Sequence, residues 1–140
     1  MAKNKRTAFF ISDGTGITAG SLGGLLAHFP ETEFDQIRIP FTDSIEKVED
    51  AQKRVANIKM MTGSRPIVIM SIGNEILRNE LKAVDAYYID LFDSFIHPLG
   101  VELNEPALTR PGVSHSIKTN QCNMHLQLLV RSLGFRFRLT

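Results

Sequence analysis

The chain has 140 residues, of which 43% are hydrophobic and 22% charged, with a formal net charge of +1; these values fit one globular domain that can bury a core without staples. No apolar run approaches the ~20 residues of a membrane span, and Ala8 to Ile11, which follow Lys3, Lys5 and Arg6, are too few for a signal-peptide core, so a cytoplasmic protein is expected, with neither membrane nor nucleic acid as partner. The single cysteine, Cys122, excludes a disulfide framework, and His28, His97, His115 and His125 are scattered without close ligand partners, so no metal is expected.

In chain order, Thr7 to Ile11 reads as a buried strand. It stops at Ser12-Asp13-Gly14-Thr15-Gly16-Ile17-Thr18, a small, polar, glycine-bearing loop. Ile17 to His28 reads as one helix with an apolar face of Ile17, Leu22, Leu25, Leu26 and Phe29, weakened by Gly20, Gly23 and Gly24 at about 1 kcal/mol each. Glu33 to Ile39 alternates through Phe34, Ile37 and Ile39 as a second strand ending at Pro40. Ser44 is an N-cap for a helix to about Met61, with a stripe of Ile45, Val48, Val55, Ile58 and Met61, ended by Thr62-Gly63. Pro66 to Met70 is a β-branched strand expected at the sheet centre. Ser71 to Asn74 is a turn and Glu75 to Ala83 a helix. Tyr87 to Leu91 is a fourth strand, running into a helix from Phe92 towards Leu99.

Strands alternating with helices imply right-handed crossovers, hence an α/β fold: a mostly parallel sheet with helices on both faces, Rossmann-like. Ligands of such sheets bind outside the carboxyl ends of the strands, where Ser12–Thr18 and Ser71–Asn74 both belong. In the first loop, Gly14 and Gly16 permit close backbone approach, and Ser12, Thr15 and Thr18 offer hydroxyls to a phosphate. Asp13 is discordant beside an anion. It serves as a base for a hydroxyl nucleophile or as a helix cap, and a plain strand-to-helix turn is the bland alternative. Thr15-Gly16-Ile17-Thr18 is similar to the flavodoxin phosphate loop, which makes a flavin mononucleotide site an alternative, with Tyr87-Tyr88 as the aromatic pair. Gly112–Thr119 has Walker A spacing, but Ile117 replaces its second glycine and the two prolines before it exclude a buried strand.

The opening Phe10-Ile11-Ser12-Asp13-Gly14-Thr15-Gly16-Ile17-Thr18 resembles the regulatory proteins of pyruvate, phosphate dikinase and phosphoenolpyruvate synthase, bifunctional serine/threonine kinases and phosphorylases whose signature reads S-D-[GS]-T-[AG]-x-T-[AV]-E. Pro40-Phe41, Thr62-Gly63-Ser64-Arg65-Pro66, Pro111-Gly112 and His115 extend the resemblance over residues 7–121, while Gly20 stands where the family has Glu. The resemblance implies ADP-dependent phosphorylation of a threonine on the dikinase or synthase, and its removal by phosphate with release of pyrophosphate. It implies ADP and phosphate as ligands, that target enzyme as partner, a homo-oligomer, and roles for Asp13 and His115 in catalysis. The family's P-loop, G-V-S-R-x-x-K-T-P-x-S, is not among these residues, so the chain is expected to be inactive alone. A non-catalytic docking module is a further alternative.

All 15 acidic residues lie in 1–105, whereas 106–140 carry five basic residues and no acid. From Cys122 the family pattern stops. The expectation is a family-like domain over 1–121 and a frameshifted or foreign basic tail over 122–140, with Phe135-Arg136-Phe137-Arg138-Leu139 as an alternating strand or basic binding tail if the tail is genuine.

Overall fold

The computed structural model describes residues 4–110, apart from the side chains of Ile17 and Thr18. Strands β1 (Asn4–Ser12), β2 (Thr32–Ile39), β3 (Ile67–Ser71) and β4 (Tyr87–Asp90) form one sheet in the order β2-β1-β3-β4, with every neighbouring pair parallel. β1 is buried throughout from Thr7 to Ser12 and β3 from Val68 to Ser71. Both are continuous apolar runs, as strands covered on two faces require. β2 does not keep the simple alternation expected: Asp35 and Gln36 are both exposed, Phe34 packs on one face of the sheet and Ile37 and Ile39 on the other, as an edge strand in a sheet covered on both faces allows.

The pleat of β1 divides the core. Phe9 and Ile11 pack with α2 (Ile45–Thr62) and α3 (Glu75–Leu81), through Val48, Ala51, Val55, Leu77 and Leu81. Ala8 and Phe10 face the other way, towards Ala19 of α1 (Ile17–Ser21), Ile69 and Leu91. Helices therefore cover both faces, as the sequence indicates.

Ser44 caps α2 by accepting from the Lys47 N–H, and Gly63, at φ 75°, closes it with an N–H to Lys59 O. Two positions of the expected stripe lie outside the core: Ile45 and Met61 are exposed, and Ala51 fills the centre. An 18-residue helix runs about 27 Å, while the five-residue β3 beneath it spans about 17 Å, so its ends overhang the sheet.

The single helix expected over Ile17–His28 is instead α1 followed by a 3-10 segment, Leu22–His28, which contains no fully buried residue. Gly20, Gly23 and Gly24 remove the propensity that would carry an α-helix through, and Leu22 and Leu26 alone anchor this stretch, half-buried. The helix expected from Phe92 is a π-helical turn, Phe92–Ile96, followed by α4 (His97–Leu103). Pro98 has no N–H to give Ser94, so the helical path is renewed there.

Candidate functional site at the carboxyl edge of the sheet

From β1 the chain crosses to β2 through α1 on one face. From β2 it crosses to β3 through α2 on the other. These opposite crossovers open a crevice between the carboxyl ends of β1 and β3, the switch point at which open α/β sheets bind ligands. Ser12 pairs with Ser71 there, so the two candidate loops start side by side.

Hydrogen bonds join three loops at this edge. Asp13 N–H donates to Ser71 O at 3.2 Å, and Asp13 Oδ2 accepts from Gly73 N–H at 2.8 Å. From the β2 side, Phe41 N–H donates to Gly14 O (2.7 Å) and Thr42 N–H to Ser12 O (2.8 Å). Phe41 takes a left-handed φ of 57° to make this contact. Ser12 is buried and its Oγ accepts from Gly14 N–H at 3.0 Å. Gly16, at φ 88°, occupies a conformation that a side chain would strain, and sets the turn into α1.

Asp13 does not cap α1. Its carboxylate holds the β3–α3 loop instead, and the position before α1 is Gly16, with no side-chain cap. Burial raises the Asp13 pKa above its ordinary value; the hydrogen bonds from Gly73 and from its own backbone oppose this, and the nearby Asp43 charge adds to the rise. A cavity of about 250 Å³ opens beside it, lined by Asp13, Asp43, Asn74, Leu77, Thr109 and Arg110.

Thr15 is exposed on the loop and Gly14 half-buried, so both remain at the surface of the crevice. The Thr18 side chain, His115, the segment Gly112–Thr119 and residues 122–140 lie outside the described residues. Tyr87 and Tyr88 do not meet the loop. They pair with Ile67 and Val68 in the lower half of the sheet, and the Tyr88 hydroxyl is spent on Leu81 O and Val84 O (2.8 and 2.5 Å). Burial, with the Asp85 charge, pushes that hydroxyl up to about 12. The aromatic pair proposed for a flavin is therefore not assembled at this edge.

Three arginines at this edge escape a sequence reading. The Arg38 guanidinium lies over Gly16 and Gly20: a Cβ at Gly16 would sit 3.5 Å from Nη2, and one at Gly20 3.6 Å from Cζ. Among the described residues no carboxylate forms an ion pair with it. Arg110 lines the cavity with Asp13. Arg78 is buried beneath the β3–α3 loop and donates to Ile72 O and Gly73 O. The signal for Arg38 was its place near the carboxyl end of β2, which becomes informative only once the parallel register with β1 is known.

Fold and site together define an open-sheet α/β domain with a glycine-bearing loop at its switch point. Residues 8–125 match the kinase/pyrophosphorylase family, and the chain belongs to that family. It is 50% identical over 116 residues to a protein of Methylobacillus flagellatus named as a phosphoenolpyruvate synthase regulatory protein. Proteins of the same name from Hahella chejuensis and Marinobacter nauticus are 44% identical over 117 residues and 43% over 114. The matches cover 83, 83 and 81% of this chain but 43, 43 and 42% of those relatives, so the chain spans less than half their length.

Proposed function

We propose that this chain supplies the N-terminal part of a regulator that phosphorylates a threonine of phosphoenolpyruvate synthase or of pyruvate, phosphate dikinase from ADP, and removes that phosphate by phosphorolysis. In the forward direction the threonine oxygen takes the terminal phosphoryl group of ADP, its proton is accepted by a base, and AMP leaves. In the reverse direction an oxygen of inorganic phosphate attacks the phosphothreonine phosphorus, the threonine oxygen regains a proton, and pyrophosphate leaves. Both directions demand positioning and charge stabilisation more than covalent catalysis.

The observation that carries this reading is the meeting of the Ser12–Gly16 loop with Asp13, Arg38 and Arg110 at one edge of the sheet. The backbone at Gly14 and Gly16 and the Thr15 hydroxyl, with those of Ser12 and Thr18, are the phosphate contacts in this proposal. Arg38 offsets the charge that builds on the transferring group. Asp13 takes the proton from the threonine hydroxyl and returns it to the leaving oxygen. Its raised pKa suits a group that must hold a proton beside an anion. His115 is a further catalytic candidate by family resemblance. ADP is expected to bind weakly to these 140 residues alone, because they contain no family P-loop. We place the protein in the cytoplasm, as a homo-oligomer, and propose 1–121 as the family domain with 122–140 as a distinct basic tail.

The test is to incubate the pure 140-residue chain with its target enzyme and ADP, and separately to titrate it with a phosphothreonine peptide. No phosphorylation is expected. The peptide is expected to bind, and Arg38→Ala to weaken it about tenfold, the worth of one charge-assisted contact. Unchanged binding in Arg38→Ala overturns the assignment of this loop.

A second reading is docking without catalysis. It is favoured by an apolar cavity of about 550 Å³ at the opposite edge of the sheet, lined by residues including Leu25, Phe29 and Tyr87, all largely exposed. Under that reading the target enzyme co-purifies with the chain, and Phe29→Asp abolishes the capture.

A further inference from the structure

We propose that Arg78 is a positioning residue for the Asp13 carboxylate and acts through the Ile72–Gly73 peptide. This rests on the reading of Asp13 as the proton acceptor. The two groups never touch, but one peptide unit lies between them. Its C=O, on Ile72, accepts from Arg78 Nη1 at 3.0 Å. Its N–H, on Gly73, donates to Asp13 Oδ2 at 2.8 Å. The same Nη1 reaches Gly73 O at 3.0 Å, so the guanidinium grips both carbonyls of the loop. A cation on the carbonyl side polarises the peptide and strengthens its N–H as a donor, the cooperative behaviour of linked hydrogen bonds in a low-dielectric interior.

The rest of the neighbourhood holds this chain of contacts in place. Arg78 is 3% exposed, and an arginine so buried is destabilising unless it is paired. Asp90, at the end of β4, supplies the pair, with Oδ2 3.3 Å from Arg78 Nε and 2.7 Å from Lys82 Nζ. Asp90 Oδ1 is occupied in turning the chain, accepting from the N–H groups of Phe92 and Asp93. The ring of Phe92 stacks beneath the guanidinium, its centre 5.3 Å from Cζ. On the far side of the peptide, a Cβ at Gly73 would lie 1.9 Å from Thr109 O. Glycine alone fits there, because the backbone of the returning chain at Thr109 packs directly against the loop.

A merely structural Arg78 would tie α3 to β4 and leave Asp13 indifferent. The charged groups facing Asp13 across the cavity are Asp43 and Arg110, and neither is linked to it through this peptide. The decisive variant is R78M/D90N in the full 140-residue chain. It removes both charges of the buried pair together, a change that is often near-neutral for folding, and the carboxamide oxygen introduced by D90N can retain the two amide contacts made by Oδ1. Two NMR readouts apply: the titration midpoint of the Asp13 carboxyl carbon and hydrogen exchange at the Gly73 amide. The Asp13 midpoint is expected to rise by on the order of one pH unit, a tenfold change in proton affinity, and the Gly73 amide to exchange roughly tenfold faster. A folded double variant in which both stay as in the parent overturns the proposal. Should the double variant not fold, R78Q removes the cation while Asp90 keeps Lys82 as its partner, and an unmoved Asp13 midpoint there overturns it equally. Neither readout uses phosphate, so a loop that fails to bind phosphopeptide leaves this test intact.

Discussion

Consecutive residues of β1 send Phe9 to one face of the sheet and Phe10 to the other, and the covers they meet are unlike. Phe9 lies under α2, 18 residues long and capped at both ends, and under α3, within a cluster of ten buried side chains. Phe10 lies under a five-residue helix and a 3-10 segment, within a cluster of five. On the first face, helical periodicity and capping agree with burial. On the second, three glycines and exposed Leu25 and Phe29 leave the cover thin. The Ser12–Gly16 loop leads into the thin cover, and the Ile72–Gly73 peptide that holds Asp13 belongs to the thick one. The candidate site thus sits on a seam between a thickly and a thinly covered face of the sheet, and sparse apolar burial of the second kind is what elements of low local stability share.

The largest expected effect separates the two covers directly. Leu81, the last residue of α3, is fully buried under the thick cover, so Leu81→Ala should cost about 2–5 kcal/mol in a denaturant melt. Leu25→Ala, at 44% exposure under the thin cover, should stay within about 0.5 kcal/mol. Equal losses would erase the contrast. The next effect tests the loop itself. Gly16→Ala forces a side chain into left-handed backbone and should cost about 1–2 kcal/mol. Gly20→Ala, whose new Cβ meets Arg38 at an ordinary 3.6 Å, should stabilise α1 by up to about 1 kcal/mol. Opposite signs at two glycines four residues apart would show that one is required by geometry and the other is a local weakness.

The smallest effect is pH-dependent and lies on the seam. The pKa of Asp13 is raised on folding, so the stability gained from its protonated form is fully present below the ordinary carboxylate pKa and is lost as pH rises through the raised folded value. Asp13→Asn keeps an acceptor for Gly73 N–H and removes that loss. The variant should therefore gain on the parent across this window and hold the gain at neutral pH. Melting curves from acid to neutral pH check this, and a gain that shrinks as pH rises would contradict the burial of the carboxyl.

Much of this architecture is legible in the residues. Ala8-Phe9-Phe10-Ile11 reads as a strand covered on both sides, and Ser44 and Gly63 mark α2 at both ends. The 3-10 continuation after α1 was not legible, because Leu22, Leu25, Leu26 and Phe29 keep helical spacing whether or not an α-helix survives three glycines. At the site, Ser12, Asp13 and Gly16 could be picked out because strand, loop and helix follow one another in the chain. Arg38, Arg78 and Thr109 could not. They reach the loop across parallel strands and a returning segment, and nothing local distinguishes them from ordinary positions of an edge strand, a helix and a loop. Asp13 stands out in the sequence as discordant beside an anion, but the partner of its carboxylate, the Gly73 amide 60 residues away, exists only in the fold.

The most direct test of the central claim is an amide-resolved NMR titration of the 140-residue chain with inorganic phosphate, with chloride at matched ionic strength as control. The account predicts shifts concentrated at Gly14, Thr15 and Gly16 and carried to Gly73 through Asp13, with all of them needing about tenfold more phosphate in Arg38→Ala. Shifts scattered over the basic surface, or unchanged by that substitution, would contradict a phosphate site at the β1/β3 crevice.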